Sequence, residues 1–124
     1  MSDSVECQSG VVLGSGEIEL LPATHRHHPC ASRTGGWVVV KDDQSGQSLM
    51  YSSREFEVVL AAIPRILASR GQARAHFNDA HVHFGMERIF DTVTLFRQNG
   101  KGMESVEMDV AALEVLRHCR SLLP

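Results

Sequence analysis

The sequence predicts an α+β fold, in which two related β-β-β-α units pack as one domain and two helices lie on an antiparallel sheet. Three observations lead to this prediction: short alternating segments are separated by turn-forming residues, each series ends at an amphipathic helix, and the two halves align. The units span about residues 5–71 and 73–124 of a single domain, 1–124. One unit alone is too small for a good core, so the two are expected to pack together.

The composition is that of an ordinary globular domain. The 124 residues are 43% hydrophobic and 22% charged, which lies close to the typical range. No apolar run approaches the roughly 20 residues that a membrane-spanning helix needs. The N-terminus, "MSDSVECQSG", lacks the basic and apolar segments of a signal peptide. We therefore expect a cytoplasmic protein that does not contact a membrane.

The charges are spread evenly, and the cysteines are few. The net charge is −3, with six basic and eight acidic residues up to Arg70 and six and seven after it. Neither half has the basic patch that is typical of nucleic-acid-binding domains. Cys7, Cys30 and Cys119 form no C-x-x-C motif, which favours reduced thiols over a disulfide framework. Cys119 is expected to pack in the core, on an apolar helix face.

The first unit contains strand segments separated by loops. A β-branched run predicts a strand at 37–41, and Asp, Ser and Gly in "DDQSG" predict a turn before the returning strand. Prolines, glycines and the lack of apolar periodicity predict a long loop before that run. In order, we predict a strand or hairpin around Gly14-Ser15-Gly16 (11–21), the loop (22–36), the strand (37–41), the turn (42–46) and the returning strand (47–52).

A capped helix follows the returning strand. Ser52 and Glu55 fit a capping box, in which each side chain accepts a hydrogen bond from the other residue's backbone N–H. Pro64 is expected to stop or kink the helix, and Gly71 to cap a further turn or two. One apolar face has helical spacing and consists of Phe56, Val59, Leu60 and Ile63.

The second unit repeats this plan. Extended structure is predicted at 73–86, with a turn at Asn78-Asp79, and strands are predicted at 91–97 and 103–109. Asp109 is expected to N-cap a last helix, whose apolar face consists of Ala112, Leu116, Cys119 and Leu123. The alignment pairs Val38 and Val40 with Val93 and Leu95, Leu49 and Tyr51 with Val106 and Met108, Ser52 with Asp109, Phe56 with Leu113, and Val59 with Leu116. It predicts an internal duplication.

One stretch of the first unit, "VVVKDDQSGQSLMYSSREFEVVLAAI" (38–63), resembles the short actinobacterial regulatory domains of the family that includes BldB. The family shows a V-x-V-R-D-S strand and turn, followed by G-x-x-L-x-F-T-x-x-E-W-x-x-F-L-x-x-V. Lys41, Asp43 and Phe56 differ from that pattern. The matching positions are Val38, Val40, Asp42, Gly46, Leu49, Tyr51, Ser52, Glu55, Leu60 and Ile63. The resemblance implies a non-catalytic regulatory protein that acts through a protein partner, such as a helix-turn-helix transcription factor.

Two other functions remain as alternatives, and self-association as a homodimer also stays open. The duplicated unit is similar in design to Whirly and Pur-type proteins, which bind single-stranded nucleic acid on a sheet through aromatic and basic residues. The candidate aromatic residues are Trp37, Tyr51, Phe77, Phe84, Phe90 and Phe96. These rings are also typical core residues, and the negative charge disfavours nucleic acid.

The histidines suggest the other alternative, a His-based metal-dependent enzyme. Zinc needs three or four nitrogen or sulfur ligands that converge. The residues that could supply them, if the 22–36 loop folds back on the 81–83 segment, are His25, His27, His28 and Cys30 of the loop together with His81 and His83, with His76 as an addition. A titratable patch of Asp79, His81, His83 and Glu87 could serve acid–base chemistry. No nucleophile motif accompanies that patch, so the sequence predicts no catalytic residue and, by default, no cofactor.

Overall fold

The computed structural model describes residues 16–123, together with the backbone of residues 11–12. In this part of the chain, antiparallel strands form two sheets, with strand orders β1-β2-β3-β4-β5 and β6-β7-β8-β9. The first sheet consists of β1 (Val11–Val12), β2 (Ile18–Glu19), β3 (Pro29–Thr34), β4 (Trp37–Asp42) and β5 (Ser48–Ser52). The second consists of β6 (Gln72–Asp79), β7 (Val82–Ile89), β8 (Thr92–Asn99) and β9 (Gly102–Asp109).

A helix follows each sheet along the chain. Helix α1 (Ser53–Ala68) begins with the predicted capping box, because Glu55 N–H donates to Ser52 Oγ and Ser52 N–H donates to Glu55 Oε1. The helix continues through Pro64 to Ala68, so the proline does not stop it, and Ser69 rather than Gly71 is its C-cap. The second helix, α2 (Val110–Leu116), is followed by a short 3₁₀ helix, Arg120–Leu122.

The α+β class and the antiparallel strands are confirmed, but the single sheet is replaced by two. Strands β5 and β9 lie close together at the sheet edges, and side chains bridge their backbones. Met50 N–H donates to Glu104 Oε1 over 3.1 Å, and Glu107 N–H donates to Gln47 Oε1 over 3.1 Å. A meander of four or five strands, not three, precedes each helix. The predicted 22–36 loop contains β3, whose Cys30 and Ala31 are buried.

The core lies between the two sheets and the helices. Helix α1 contacts both sheets and α2, and α2 packs on β8 and β9. Inward-facing residues alternate along the strands, as the sequence pattern predicts. The register pairs Val38 with Tyr51 and Val40 with Leu49 in the first sheet, and Val93 with Met108 and Leu95 with Val106 in the second. These are the residues that the alignment of the two halves makes equivalent.

The cysteines differ from the expectation of reduced thiols. Cys119 is disulfide-bonded and fully buried, so its predicted place in the core is confirmed but its reduced state is not. Cys30 is a free, fully buried cysteine, whereas Cys7 lies outside the described residues. Neither helix of the described ranges is long and apolar enough to cross a membrane.

Candidate functional site

The outer face of the second sheet carries a cluster of three aromatic rings, His76, His83 and Phe96. The register places Gly85 between His76 on β6 and Phe96 on β8. Strands two positions apart are separated by about 10 Å, yet the His76 and Phe96 ring centroids are only 5.0 Å apart. The two rings come this close because Gly85 has no side chain between them. The backbone of the middle strand thus shapes the cluster.

A concave surface lies beside these rings, and we call it the histidine hollow. His76, His83, Phe96 and Met103 contribute to its wall, together with Thr94, Gln98 and Ser105, and its volume is about 270 Å³. Met103 is exposed at its rim, whereas Phe96 is largely covered by the two histidines. The hollow therefore presents an apolar floor within a partly polar edge.

Hydrogen bonds connect the polar side chains of the cluster. His76 Nε2 lies 2.8 Å from Glu87 Oε2, and His76 Nδ1 lies 3.2 Å from His83 Nε2. This chain of a carboxylate and two imidazoles is partly open to solvent. These hydrogen bonds fix the orientation of both imidazole rings.

The predicted titratable patch is only partly brought together. His83 and Glu87 share the outer face and are connected through His76. Asp79 lies 4.0 Å from Arg54 instead, and His81 is exposed in the turn between β6 and β7. That turn comes two residues after the predicted Asn78-Asp79 turn, so His81 lies in the turn and not on the strand face of His83, whereas His76 lies on that face.

The predicted zinc ligands also separate. His83 belongs to the second sheet, His25 and His81 are exposed, and His27 Nδ1 lies 2.8 Å from Asp42 Oδ2 in a buried pair. Of the predicted histidines, only His28 lies, among the described residues, in a group of three ligand-type side chains whose ligand atoms are all close to one another. Its partners there are Cys30 and Asp43, with ligand atoms within 4.8 Å of one another. Cys30 belongs to the cluster that the sequence predicts, whereas sequence reasoning missed Asp43, because its proximity to the other two depends on the pairing of β3 with β4.

Asp42 orders the segment around His27 and His28. Its carboxylate accepts hydrogen bonds from the backbone N–H groups of His28 and Gln44 and contacts His27. Burial acts to raise the pKa of Asp42, but these hydrogen bonds outweigh it and lower the pKa to about 2. The carboxylate is therefore charged at neutral pH and holds the loop against β4.

The aromatic residues proposed for stacking are divided between core and surface. Tyr51 and Phe84 are buried, and Phe77 packs against the core. Phe90 is exposed in the turn after β7, and Trp37 lies on the outer face of β4, where the Arg97 guanidinium is 5.3 Å from its ring centroid. Phe96 therefore contributes to an outer face together with the two histidines and not with other predicted aromatics.

Comparisons of the chain with protein-family models, with curated proteins and with solved structures find no match in any of the three.

Proposed function

We propose that this protein is a non-catalytic, cytoplasmic regulatory module that binds a protein partner, a DNA-binding regulator, through the outer face of its second sheet. The observation that carries the proposal is the apolar surface of that face. Ile89 on β7 is 58% exposed, Phe90 in the following turn 65%, and Met103 on β9 64%. Ile89 and Phe90 lie at one end of the second sheet and Met103 lies near the other end. Large apolar side chains that are exposed along one face suit a protein-interaction site.

The shape of the outer face suits a protein partner better than a small substrate. Small-molecule sites usually enclose most of the surface of their ligand, whereas the histidine hollow, at about 270 Å³, is open to solvent. A second depression of about 450 Å³, lined by Arg74, Glu87 and Ile89, adjoins it through Glu87. Together they form a surface along β6 and β7 on which the histidine hollow accommodates an apolar side chain of the partner.

The charge of the protein fits a basic partner. DNA-binding regulators carry basic surfaces, whereas this chain has a net charge of −3. Strand β9 contributes Glu107 and Asp109 at one side of the outer face, and Glu87 lies at its centre. Complementary charges accelerate association and disfavour unsuitable partners. The resemblance of residues 38–63 to a regulatory family points to the same class of partner.

We also propose that the two meander-helix units are internal repeats. The register supports this, because the pairs Val38–Tyr51 and Val93–Met108 occupy corresponding positions before α1 and α2. Duplication explains how a short chain builds two sheets that share one core.

The test is an interaction assay between this protein and a panel of purified helix-turn-helix regulators. Met103→Asp places a charge on the proposed face, and Met50→Asp, on the outer face of the first sheet, is the matched control. Binding measured by calorimetry is expected to weaken at least tenfold for Met103→Asp and to be unchanged for Met50→Asp. Equal affinity of both variants and the wild type would exclude this face, and absence of binding by the wild type would exclude these regulators.

A single-stranded nucleic-acid binder is the second candidate, because the rings of His76, His83 and Phe96 lie on a sheet face. Bases stack on aromatic side chains in such proteins, and binding weakens steeply with salt. Fluorescence anisotropy with a labelled thymidine oligonucleotide at low salt separates the candidates. Binding that is lost in Phe96→Leu and at high salt would favour nucleic acid over a protein partner.

A further inference from the structure

We propose that His28, Cys30 and Asp43, on the first sheet, form a zinc-binding site. Their side chains supply one nitrogen, one sulfur and one oxygen ligand, and these atoms lie within 4.8 Å of one another. The site is separate from the histidine hollow of the second sheet, so the proposal of a zinc site does not depend on the proposed function.

The interatomic distances are close to those of a zinc complex. Tetrahedral coordination at ordinary zinc bond lengths places ligand atoms roughly 3.3–3.7 Å apart. Asp43 Oδ2 lies 3.6 Å from His28 Nδ1 and 3.9 Å from Cys30 Sγ. Small side-chain rotations therefore complete the ligand triangle without any change in the backbone.

The backbone that holds the ligands is fixed. Cys30 on β3 pairs with Lys41 on β4, which places residues 28–30 beside the end of β4. Asp43 N–H donates to the His28 carbonyl oxygen over 3.1 Å, and the His28 N–H donates to the Asp42 carboxylate. The three ligands thus come from two hydrogen-bonded segments, and little ordering is needed when the ion binds.

The surrounding groups favour a bound cation. His28 Nε2 lies 2.8 Å from Glu19 Oε2, so when Nδ1 coordinates the ion, Nε2–H donates to this carboxylate. A carboxylate acceptor of this kind commonly orients a zinc-binding histidine. Glu17, Glu19 and Asp43 surround the site, and Lys41, 3.4 Å from Asp43 Oδ1, is the one cation that directly contacts them among the described residues. A divalent cation matches this excess of negative charge.

The ligand set selects zinc among common ions. A thiolate and an imidazole are too soft for magnesium or calcium, and zinc accepts sulfur, nitrogen and carboxylate oxygen together. Cys30 binds as the thiolate and releases its proton to solvent. The Asp43 side chain is 41% exposed, so water has access to the fourth coordination position.

The site is tested with the full chain after treatment with a chelator. Zinc is titrated in competition with a chromophoric chelator, and cobalt is used as a spectroscopic substitute that reports thiolate coordination. We expect one zinc per chain and a thiolate-to-cobalt absorption band. Cys30→Ser should abolish the band, Asp43→Asn should weaken zinc binding at least tenfold, and Glu19→Gln about tenfold with the band retained.

His25→Ala and His83→Ala are the control variants, and both should bind zinc as the wild type does. Asp43 is exposed, so Asp43→Asn tests the proposal even if Cys30→Ser fails to fold. The proposal is overturned if the wild type binds no zinc, if Asp43→Asn binds as tightly as the wild type, or if His83→Ala removes the binding.

Discussion

The hydroxyl of Tyr51, on the first sheet, donates a hydrogen bond to the carbonyl oxygen of Gly85, on the second sheet, over 2.9 Å. The carbonyl oxygen of Phe96 is also within reach, at 3.2 Å. Tyr51 is fully buried, and its burial raises the pKa of the phenol. It therefore remains a neutral donor and connects, through the core, the two sheets whose edges are bridged by side chains.

Tyr51→Phe should lower the free energy of unfolding by about 1 kcal/mol, because it leaves the buried carbonyl oxygens without this donor. The measurement is urea denaturation followed by circular dichroism, with the exposed Ser48→Ala as a control that is expected to be neutral. An unchanged denaturation midpoint would contradict the role given to this hydroxyl.

Gly85→Ala should destabilise the protein strongly. Gly85 has a φ of 151°, and a Cβ atom there would lie 1.9 Å from the Ala75 carbonyl oxygen, so the backbone must move. Strain of this kind costs about 1–3 kcal/mol before the displaced neighbours are counted. Gly100→Ala is the matched control, since a Cβ atom there meets nothing within 4 Å. If thermal melting gives the same midpoint for both variants, the close approach at Gly85 is not a constraint.

Arg97 and Glu55 form an ion pair inside the protein. Arg97 Nε lies 2.8 Å from Glu55 Oε1, and Glu55, which is 4% exposed, also completes the α1 capping box. Arg97→Met leaves this carboxylate without its buried partner, so we expect a loss of about 3 kcal/mol in chemical denaturation. The indole fluorescence of Trp37 should change as well, because Arg97 lies over its ring.

An exposed ion pair provides the comparison for the buried one. Arg54, whose side chain is 82% exposed, lies 4.0 Å from Asp79. Arg54→Met should change the free energy of unfolding by less than about 1 kcal/mol. If Arg54→Met and Arg97→Met cost the same, burial does not determine the strength of the Arg97–Glu55 pair.

Short-range features of the fold could be predicted from the sequence. The capping box depends on Ser52 and Glu55, which are three residues apart, so it can be recognised from the sequence alone. The effect of Pro64 could not be predicted from local rules, since the flanking Ile63 and Ile66 are fully buried and their packing maintains the helix. Strand β3 was missed because "PCASRT" buries the small Cys30 and Ala31 and shows no clear apolar alternation.

The positions of the side chains in the candidate sites depend on the register of the paired strands, which cannot be read from the composition. The β6–β7 turn at residues 80–81 pairs Asp79 with Val82, and this register places His76 opposite Gly85 and on the face of His83. A turn at Asn78-Asp79 would have paired the strands differently, because a shift in register changes which side chains meet. The proximity of Cys30 to Asp43 likewise follows from the β3–β4 pairing. This pairing could not be predicted, because the sequence predicts a loop where β3 lies.

The lowered pKa of Asp42 predicts a specific loss of stability in acid. The folded-state pKa, about 2, lies below the ordinary value of 3.8, so the charged carboxylate stabilises the folded protein above pH 4. This contribution, about 2 kcal/mol, is lost as the pH falls from about 4 to about 2. Urea denaturation of chelator-treated protein at pH 6 and pH 3 should show about half of this loss.

Asp42→Asn isolates this contribution from those of the other carboxyl groups. The variant should be less stable than the wild type at pH 6, because the amide gives weaker hydrogen bonds to His28 N–H and His27. The difference should shrink at pH 3, because Asp42 of the unfolded wild type then takes up a proton. Asp91→Asn, at an exposed position, should follow the wild type at both pH values. A stability difference between wild type and Asp42→Asn that is the same at pH 6 and pH 3 would show that the charge of Asp42 does not stabilise the fold.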